Sequence, residues 1–224
     1  MSKPTKDAID PAGFSDVDAA GNTSEYFAYL DRAKAASAAL LRARYQLLEL
    51  KTGDHVLDVG CGLGHDAREF ASMVGPGGRV VGIDFSEAMI AKARKRFEQA
   101  NLPVQFAVGD AQRLNFADNS FDGCWSIRVL QHLVEPAYAI AEMARVARPG
   151  GRIAVFEPDH EMTAIDATDR VTTRIIRSSW VDRIRSGWAG IALDGVSGRC
   201  SDFQDDPRRG VTPKRMPCRA CPYP

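Results

Sequence analysis

This chain has no excess charge of either sign. Lysine plus arginine and aspartate plus glutamate number 29 each, so no overall field draws it to nucleic acid or to an anionic membrane surface. Long apolar runs are also missing. No stretch approaches the roughly 20 residues of a membrane span, and Met1-Ser2-Lys3-Pro4-Thr5-Lys6-Asp7 lacks the apolar centre of a secretory signal. A cytoplasmic protein without a membrane span is therefore expected. Cysteine is scarce, at five in 224 residues, too few and too irregular for a disulfide framework. Cys61 and Cys124 fall in core-like segments, where reduced thiols pack as small hydrophobes.

What is present is a hydrophobic fraction of 45% with 26% charge, ordinary for one soluble domain with a substantial core. Residues 1–22 show no periodicity and read as a flexible or loosely docked arm. From Ser24 onward, Phe27, Leu30, Ala33, Ala36, Leu40, Ala43, Leu47 and Leu50 recur at helical spacing, with Thr23 or Ser24 as the cap. One long helix from Glu25 to Leu50 is expected, acting as a lid with Tyr26 and Tyr29 toward an apolar or aromatic substrate.

Strand-like and helix-like segments then alternate. Residues 56–59, 79–84, 104–108, 121–127 and 152–157 read as strands with helical segments between them, so the sheet should be parallel and covered by helices on both faces. The expected class is α/β, a Rossmann-like doubly wound sheet spanning residues 23–193. Such sheets bind ligands at the carboxyl ends of their strands. Here the first strand runs into Gly60, Gly62 and Gly64, the second ends in Asp84-Phe85, and the third ends in Gly109-Asp110-Ala111. Glycines let the backbone turn with positive φ and approach a ligand closely. Asp84, twenty residues after Gly64, sits where a carboxylate can accept from a ribose diol, Phe85 could lie on the base, and Asp110 is placed for an exocyclic amine. The loop is G-x-G-x-G with His65 where a dinucleotide fold wants its last glycine. With Asp58 just upstream, these departures favour a cationic cofactor over NAD.

The segments Val56-Leu57-Asp58-Val59-Gly60-Cys61-Gly62-Leu63-Gly64, Gly82-Ile83-Asp84-Phe85-Ser86, Gly109-Asp110-Ala111 and Ala147-Arg148-Pro149-Gly150-Gly151 resemble the class I S-adenosylmethionine-dependent methyltransferases. The likeness is to the small-molecule branch that includes the ubiquinone and menaquinone C-methyltransferases. It covers residues 50–160 and implies S-adenosyl-L-methionine as cofactor. It places Gly60, Gly62 and Gly64 beneath the methionine moiety, Asp58 on its amino group, Asp84 on the ribose, and Asp110 with Ala111 on adenine. Ser126 and Arg128 would line the methionine end. His132 matches a position near the transferred methyl, and Glu157 and His160 are candidates for a general base. The implied function is methyl transfer to a small organic acceptor.

Residues 166–188 mix both charges with Ile175, Ile176, Trp180, Ile184 and Trp188, an apolar face to pack on the sheet or to cover substrate. Beyond Leu193 neither strand nor helix period survives, so 194–224 reads as a disordered tail without the family's usual antiparallel hairpin. Its bias toward Arg, Pro and Cys resembles a frame-shifted or truncated end. That would leave a sheet edge open to aggregation or homodimer pairing, and it raises the alternative of a catalytically impaired cofactor-binding remnant or regulatory protein. Cys218 and Cys221 with Cys200 offer three thiols but no fourth ligand at usable spacing, so no metal is expected.

Overall fold

The computed structural model describes residues 13–14, 16–19 and 22–158, together with the backbone of 196–199. Helix α1 (Thr23–Tyr45) passes through a 3-10 turn (Gln46–Leu48) into strand β1 (His55–Val59). There follow α2 (His65–Val74), β2 (Arg79–Asp84), α3 (Glu87–Phe97), β3 (Val104–Val108), β4 (Phe121–Ile127), α4 (Pro136–Val146), β5 (Ala147–Phe156) and β6 (Val196–Arg199). The sheet order is β3-β2-β1-β4-β5-β6. Strands β1 to β5 pair in parallel, so the doubly wound class expected from the sequence is the one observed.

Burial explains why the inner strands read as continuous apolar runs. Parallel strands flanked by helices must be apolar on both sides. Leu57, Val59, Val81 and Ile83 face Met143 and Val146 of α4. Val56, Val80, Trp125 and Ala154 face Tyr45, Phe70 and Ile90 on the other layer. Trp125 is the largest fully buried side chain and stacks at 5.0–5.5 Å on Tyr45, Phe70 and Phe156. Asp58 sits in β1 between residues of the first layer, so its carboxylate emerges on the α1–α2 side.

Three details depart from the sequence expectation. Helix α1 ends at Tyr45 instead of Leu50, where Glu49 turns left-handed at φ 48°, and its cap residue is Asn22. Its buried side chains are Tyr26, Leu41 and Tyr45, while Leu40 and Leu47 are exposed. The alanine-rich helix presents a different stripe from the one its leucines suggested. Second, described residues of the amino-terminal arm are docked. Val17 is buried beside Tyr26, Leu63 and Met89, and the Asp18 carboxylate accepts from Ser86 Oγ (2.7 Å), Glu87 N (2.8 Å) and Ala88 N (3.1 Å), closing the start of α3. Third, Val196–Arg199, within the segment read as patternless, pairs antiparallel with β5 from Arg152 to Val155. A four-residue edge strand is too short to show a period-two signal. His160, residues 166–188 and the cysteines near the carboxyl end lie outside the described residues.

Candidate functional site

The strand order reverses between β1 and β4, because β1 continues toward β2 and β3 while β4 continues toward β5. A crevice at the carboxyl ends of these strands follows from that topology. It holds a cavity of about 550 Å³, roofed by α1 and by arm residues Phe14 and Val17. The volume suits a nucleoside-sized ligand with room for a small second molecule.

Asp84 closes β2 inside this cavity. Its Oδ2 accepts from Gly62 N at 2.8 Å and its Oδ1 from Ser86 N at 3.0 Å, which fixes the carboxylate and leaves lone pairs of both oxygens for a diol. Burial pushes its pKa up, against the backbone hydrogen bonds that favour the charge. Asp58 is 2% exposed and lines the same space. Its carboxyl takes a backbone hydrogen bond from Ala67, but Oδ2 has no partner among the described residues. Burial raises its pKa well above the usual carboxylate range, and the neighbouring Asp66 and Asp84 raise it further. A buried acceptor with nothing to accept from is costly, and an ammonium donor at that point would satisfy it.

Asp66, in the first turn of α2, was not singled out from the sequence. Its Oδ1 accepts from Lys34 Nζ (2.8 Å) and Tyr45 Oη (2.7 Å), and its Oδ2 accepts from Trp125 Nε1 (3.0 Å). Lys34 also donates to Tyr45 Oη. This network ties α1 to the floor of the cavity. Its sequence signal is the common face of Leu30, Lys34, Leu41 and Tyr45 along α1, a face on which a lysine looks out of place. Asp31 of α1 also contacts His65 Nε2 (2.7 Å) and accepts from Arg96 Nη2 (3.0 Å). Burial, aided by Arg96, outweighs Asp31 and lowers the His65 pKa.

Ten of the site residues expected from the sequence line the cavity: Asp58, Gly60, Gly62, Asp84, Phe85, Asp110, Ala111, Arg128, His132 and Tyr29. Asp110 is held by its own Asx turn, Oδ1 accepting from Gln112 N at 2.8 Å. Arg128 adopts φ 58°, a left-handed conformation rare for a residue with a side chain, at the point where β4 opens into the cavity. His132 lies in a 3-10 turn (Leu130–His132) with its ring 5.9 Å from that of Phe14.

Four others do not reach the cavity. Ser126 is fully buried within β4. Tyr26 is buried behind Phe14, edge-on at 4.8 Å. Gly64 is walled off by Phe106 and Phe97. Glu157 is 3% exposed and turned away from the cavity: its Oε1 accepts from Val129 N (2.7 Å) and Leu130 N (2.8 Å), and its Oε2 accepts from Gln131 N (3.4 Å). The carboxylate that looked like a base is the N-terminal anchor of the loop carrying His132. Burial raises its pKa to about 7 despite those three donors.

The chemistry of the cavity fits S-adenosylmethionine better than a dinucleotide. A pyrophosphate needs free backbone N–H groups at the glycine loop. Here Gly60 N and Cys61 N both donate to Ile83 O at 2.8 Å, Gly62 N to Asp84, and Gly64 N to Cys61 O at 2.9 Å. Three carboxylates, Asp58, Asp66 and Asp84, face the same end of the cavity. That end accepts cations.

Comparison with known proteins agrees. Residues 56–151 match the family described as a methyltransferase domain. A 37.1 kDa protein encoded in transposon TN4556 of Streptomyces fradiae is 41% identical over 192 residues, covering 79% of this chain and 55% of that protein. The ubiquinone/menaquinone biosynthesis C-methyltransferase UbiE of Bdellovibrio bacteriovorus is 41% identical over 107 residues, 48% of this chain and 45% of that one. The 27-O-demethylrifamycin SV methyltransferase of Amycolatopsis mediterranei is 38% identical over 111 residues, 49% and 40% of the two chains. The chain thus spans about half the length of the curated relatives it matches. A SAM-dependent methyltransferase from Aquifex aeolicus shares the fold, with a TM-score of 0.52 at 24% identity over 72% of this chain and 79% of that one. The strand order, the glycine loop and the family match on residues 56–151 together identify a class I S-adenosylmethionine-dependent methyltransferase domain that resembles the ubiquinone/menaquinone C-methyltransferases.

Proposed function

We propose that the chain transfers a methyl group from S-adenosylmethionine to a small organic acceptor of apolar or aromatic character. The observation that carries this reading is the buried Asp58 Oδ2, without a partner among the described residues, beside Asp84 in a cavity where the amides of Gly60, Cys61, Gly62 and Gly64 already donate to protein acceptors. Asp84 holds the ribose diol, Asp110 and Ala111 hold the adenine edge, Phe85 lies on the base, and Asp58 receives the amino group. When bound, the cofactor supplies an electrophilic methyl on a positively charged sulfur, so the protein's task is alignment and exclusion of water.

The acceptor side is formed by Phe14, Tyr29, Arg128, His132, Leu133 and Val134, which line the remainder of the cavity. Two aromatic rings and the aliphatic wall favour a planar or apolar acceptor. Where the acceptor must lose a proton, His132 is the residue placed to take it. Glu157 acts one step removed, fixing the loop that presents His132.

The test is to incubate the full chain with methyl-labelled S-adenosylmethionine and a panel of quinol, phenol, macrolactone and amine acceptors. Label transferred to an acceptor supports the proposal. Cofactor binding with no transfer to any acceptor favours the impaired, cofactor-binding alternative, and absence of cofactor binding overturns both.

A further inference from the structure

We infer that the methyl acceptor is a phenol or enol, an apolar molecule with an ionisable hydroxyl, and that Arg128 receives that hydroxyl as its oxyanion. This names the acceptor class of the proposed methyl-transfer site and rests on that reading. Arg128 takes up its left-handed backbone at the end of β4, its N–H donating to Phe156 O at 2.8 Å and its carbonyl accepting from Gln131 Nε2 at 3.3 Å. The residue lines the cavity and is half-buried. Lys34, which lines the same cavity, is paired with Asp66 at 2.8 Å. Among the described residues, no hydrogen bond or ion pair engages the Arg128 guanidinium. A partly desolvated cation without a close anion is costly, and an anionic ligand group removes that cost.

The sheet order puts that anion on the acceptor side. Neighbouring strands lie about 4.8 Å apart, so the carboxyl ends of β2, β1, β4 and β5 carry Asp84, Asp58, Arg128 and Glu157 in that order across the crevice. The cofactor's nucleoside is assigned to Asp84 and Asp110, and its amine to Asp58. The charges acting on Asp58 are those of Asp66, Asp84 and Lys34, whereas the charge of Arg128 acts on Glu157. Arg128 therefore belongs to the β4–β5 half of the crevice, beyond the methionine end.

The same half supplies the rest of the acceptor's surroundings. Phe14, Tyr29 and Leu133 give ring faces and an aliphatic wall. His132 follows Arg128 by four residues, on the loop whose amides Glu157 holds. The hydroxyl proton passes to His132, and an oxygen lone pair forms the new C–O bond. The methyl–sulfur bond breaks with its electron pair going to sulfur, which becomes a neutral thioether. The charged and titratable groups facing this space are Arg128 from β4, His132 from the 3-10 turn, Tyr29 and Lys34 from α1 and Asp58 from β1. Lys34 is offset by Asp66, and Glu157, behind the loop, opposes Arg128 when ionised. A guanidinium beside the hydroxyl favours its ionised form and repels a protonated amine.

The experiment saturates the full chain with S-adenosylhomocysteine, whose sulfur is uncharged, and titrates it with 4-nitrophenol, read by the visible band of its phenolate. 4-Nitroanisole, which keeps the ring without an ionisable hydroxyl, is the control. Arg128→Met and Arg128→Lys are compared with the wild type, and both keep a Cβ at the left-handed position. The expected result is that bound nitrophenol is ionised about tenfold more on the wild type than in solution at the same pH. Arg128→Met should lose that gain and Arg128→Lys keep most of it, while all three bind S-adenosylhomocysteine and nitroanisole alike. A wild type that takes up no nitrophenol, or ionises it no more than water does, overturns the assignment even if Arg128→Met proves unfolded. So does an Arg128→Met protein that ionises the bound phenol as the wild type does, or one that loses affinity for S-adenosylhomocysteine, which puts Arg128 on the cofactor. Failure of the wild type to bind S-adenosylhomocysteine overturns the cofactor site itself.

Discussion

Replacing each loop glycine in turn by alanine separates what the loop does for the fold from what it does for the ligand. All three have positive φ, 72° at Gly60, 50° at Gly62 and 75° at Gly64, and a left-handed alanine costs roughly 1–2 kcal/mol, partly offset by the stiffer unfolded chain. The surroundings differ. A Cβ on Gly60 would lie 2.1 Å from Val129 Cγ2, with Cγ1 and Cβ of the same residue at 3.0 and 3.1 Å, so rotating the valine brings no relief. At Gly64 it would meet Phe106 Cζ at 2.6 Å and Phe97 Cε2 at 3.2 Å. Such overpacking adds roughly 1–3 kcal/mol. At Gly62 the nearest atom is Leu30 Cδ1 at 3.6 Å, an ordinary contact at the cavity wall. For a chain of this size each kcal/mol moves Tm by roughly 2–4 °C. Gly60→Ala and Gly64→Ala should therefore melt roughly 5–15 °C below the wild type, against roughly 2–4 °C for Gly62→Ala. Of the three, Gly62→Ala should be the folded protein that loses cofactor affinity. Thermal melts and calorimetry on the three variants suffice. If Gly60→Ala and Gly64→Ala melt with the wild type, or Gly62→Ala binds cofactor unchanged, the division of labour is refuted.

Other expectations follow from the charged groups and the lid. Glu157 titrates near 7 when folded and near 4.3 when unfolded, so the folded state binds its proton more tightly and this term lowers stability as pH rises through that window. The loss is complete above about pH 7 and amounts to roughly 3–4 kcal/mol. Glu157→Gln keeps an oxygen for Val129 and Leu130 and should abolish that slope in denaturant melts from pH 4 to 8, whereas equal slopes in the two proteins would remove Glu157 as its source. Because burial raises the pKa values of Asp58 and Asp84, and their charged forms receive the cofactor's donors, affinity for S-adenosylmethionine should fall on acidification at a pH above the ordinary carboxylate range. A pH-independent Kd would contradict it. Asp18→Ala removes the acceptor for Ser86, Glu87 and Ala88 and should cost about 1 kcal/mol, with faster proteolytic cleavage in the arm. Unchanged cleavage would show that the arm is held elsewhere. Tyr29→Ala should raise the acceptor KM and leave cofactor Kd unchanged, and a shift in Kd alone would move Tyr29 to the cofactor side.

Much of this architecture was legible because parallel βα repetition leaves strong marks. Buried inner strands must be apolar throughout, and the residues that follow them fall on one edge, so position marks Asp84 and Asp110 as cavity residues, while Asp58 stands out as an acid just ahead of the glycines and through the family resemblance. What escaped depends on side-chain direction. In α1 the alanines made two stripes equally apolar, and the leucines at 40 and 47 marked the exposed one. With the wrong stripe, Lys34 and its bond to Asp66 were invisible. Glu157 follows its strand just as Asp84 does, yet its carboxylate turns inward to three amides of the neighbouring loop, a tertiary contact that no local pattern encodes. The ladder between Val196–Arg199 and β5 is built on backbone groups, which any sequence supplies.

The central claim is that the crevice between β1 and β4 holds S-adenosylmethionine through Asp84. Calorimetric titration of S-adenosylmethionine into the full chain and into Asp84→Asn tests it most directly. The account predicts saturable one-to-one binding to the wild type and a loss of about tenfold or more in the variant, the worth of a hydrogen bond to a charged group. Wild-type and Asp84→Asn proteins that bind the cofactor equally well, or that both fail to bind it, would contradict it.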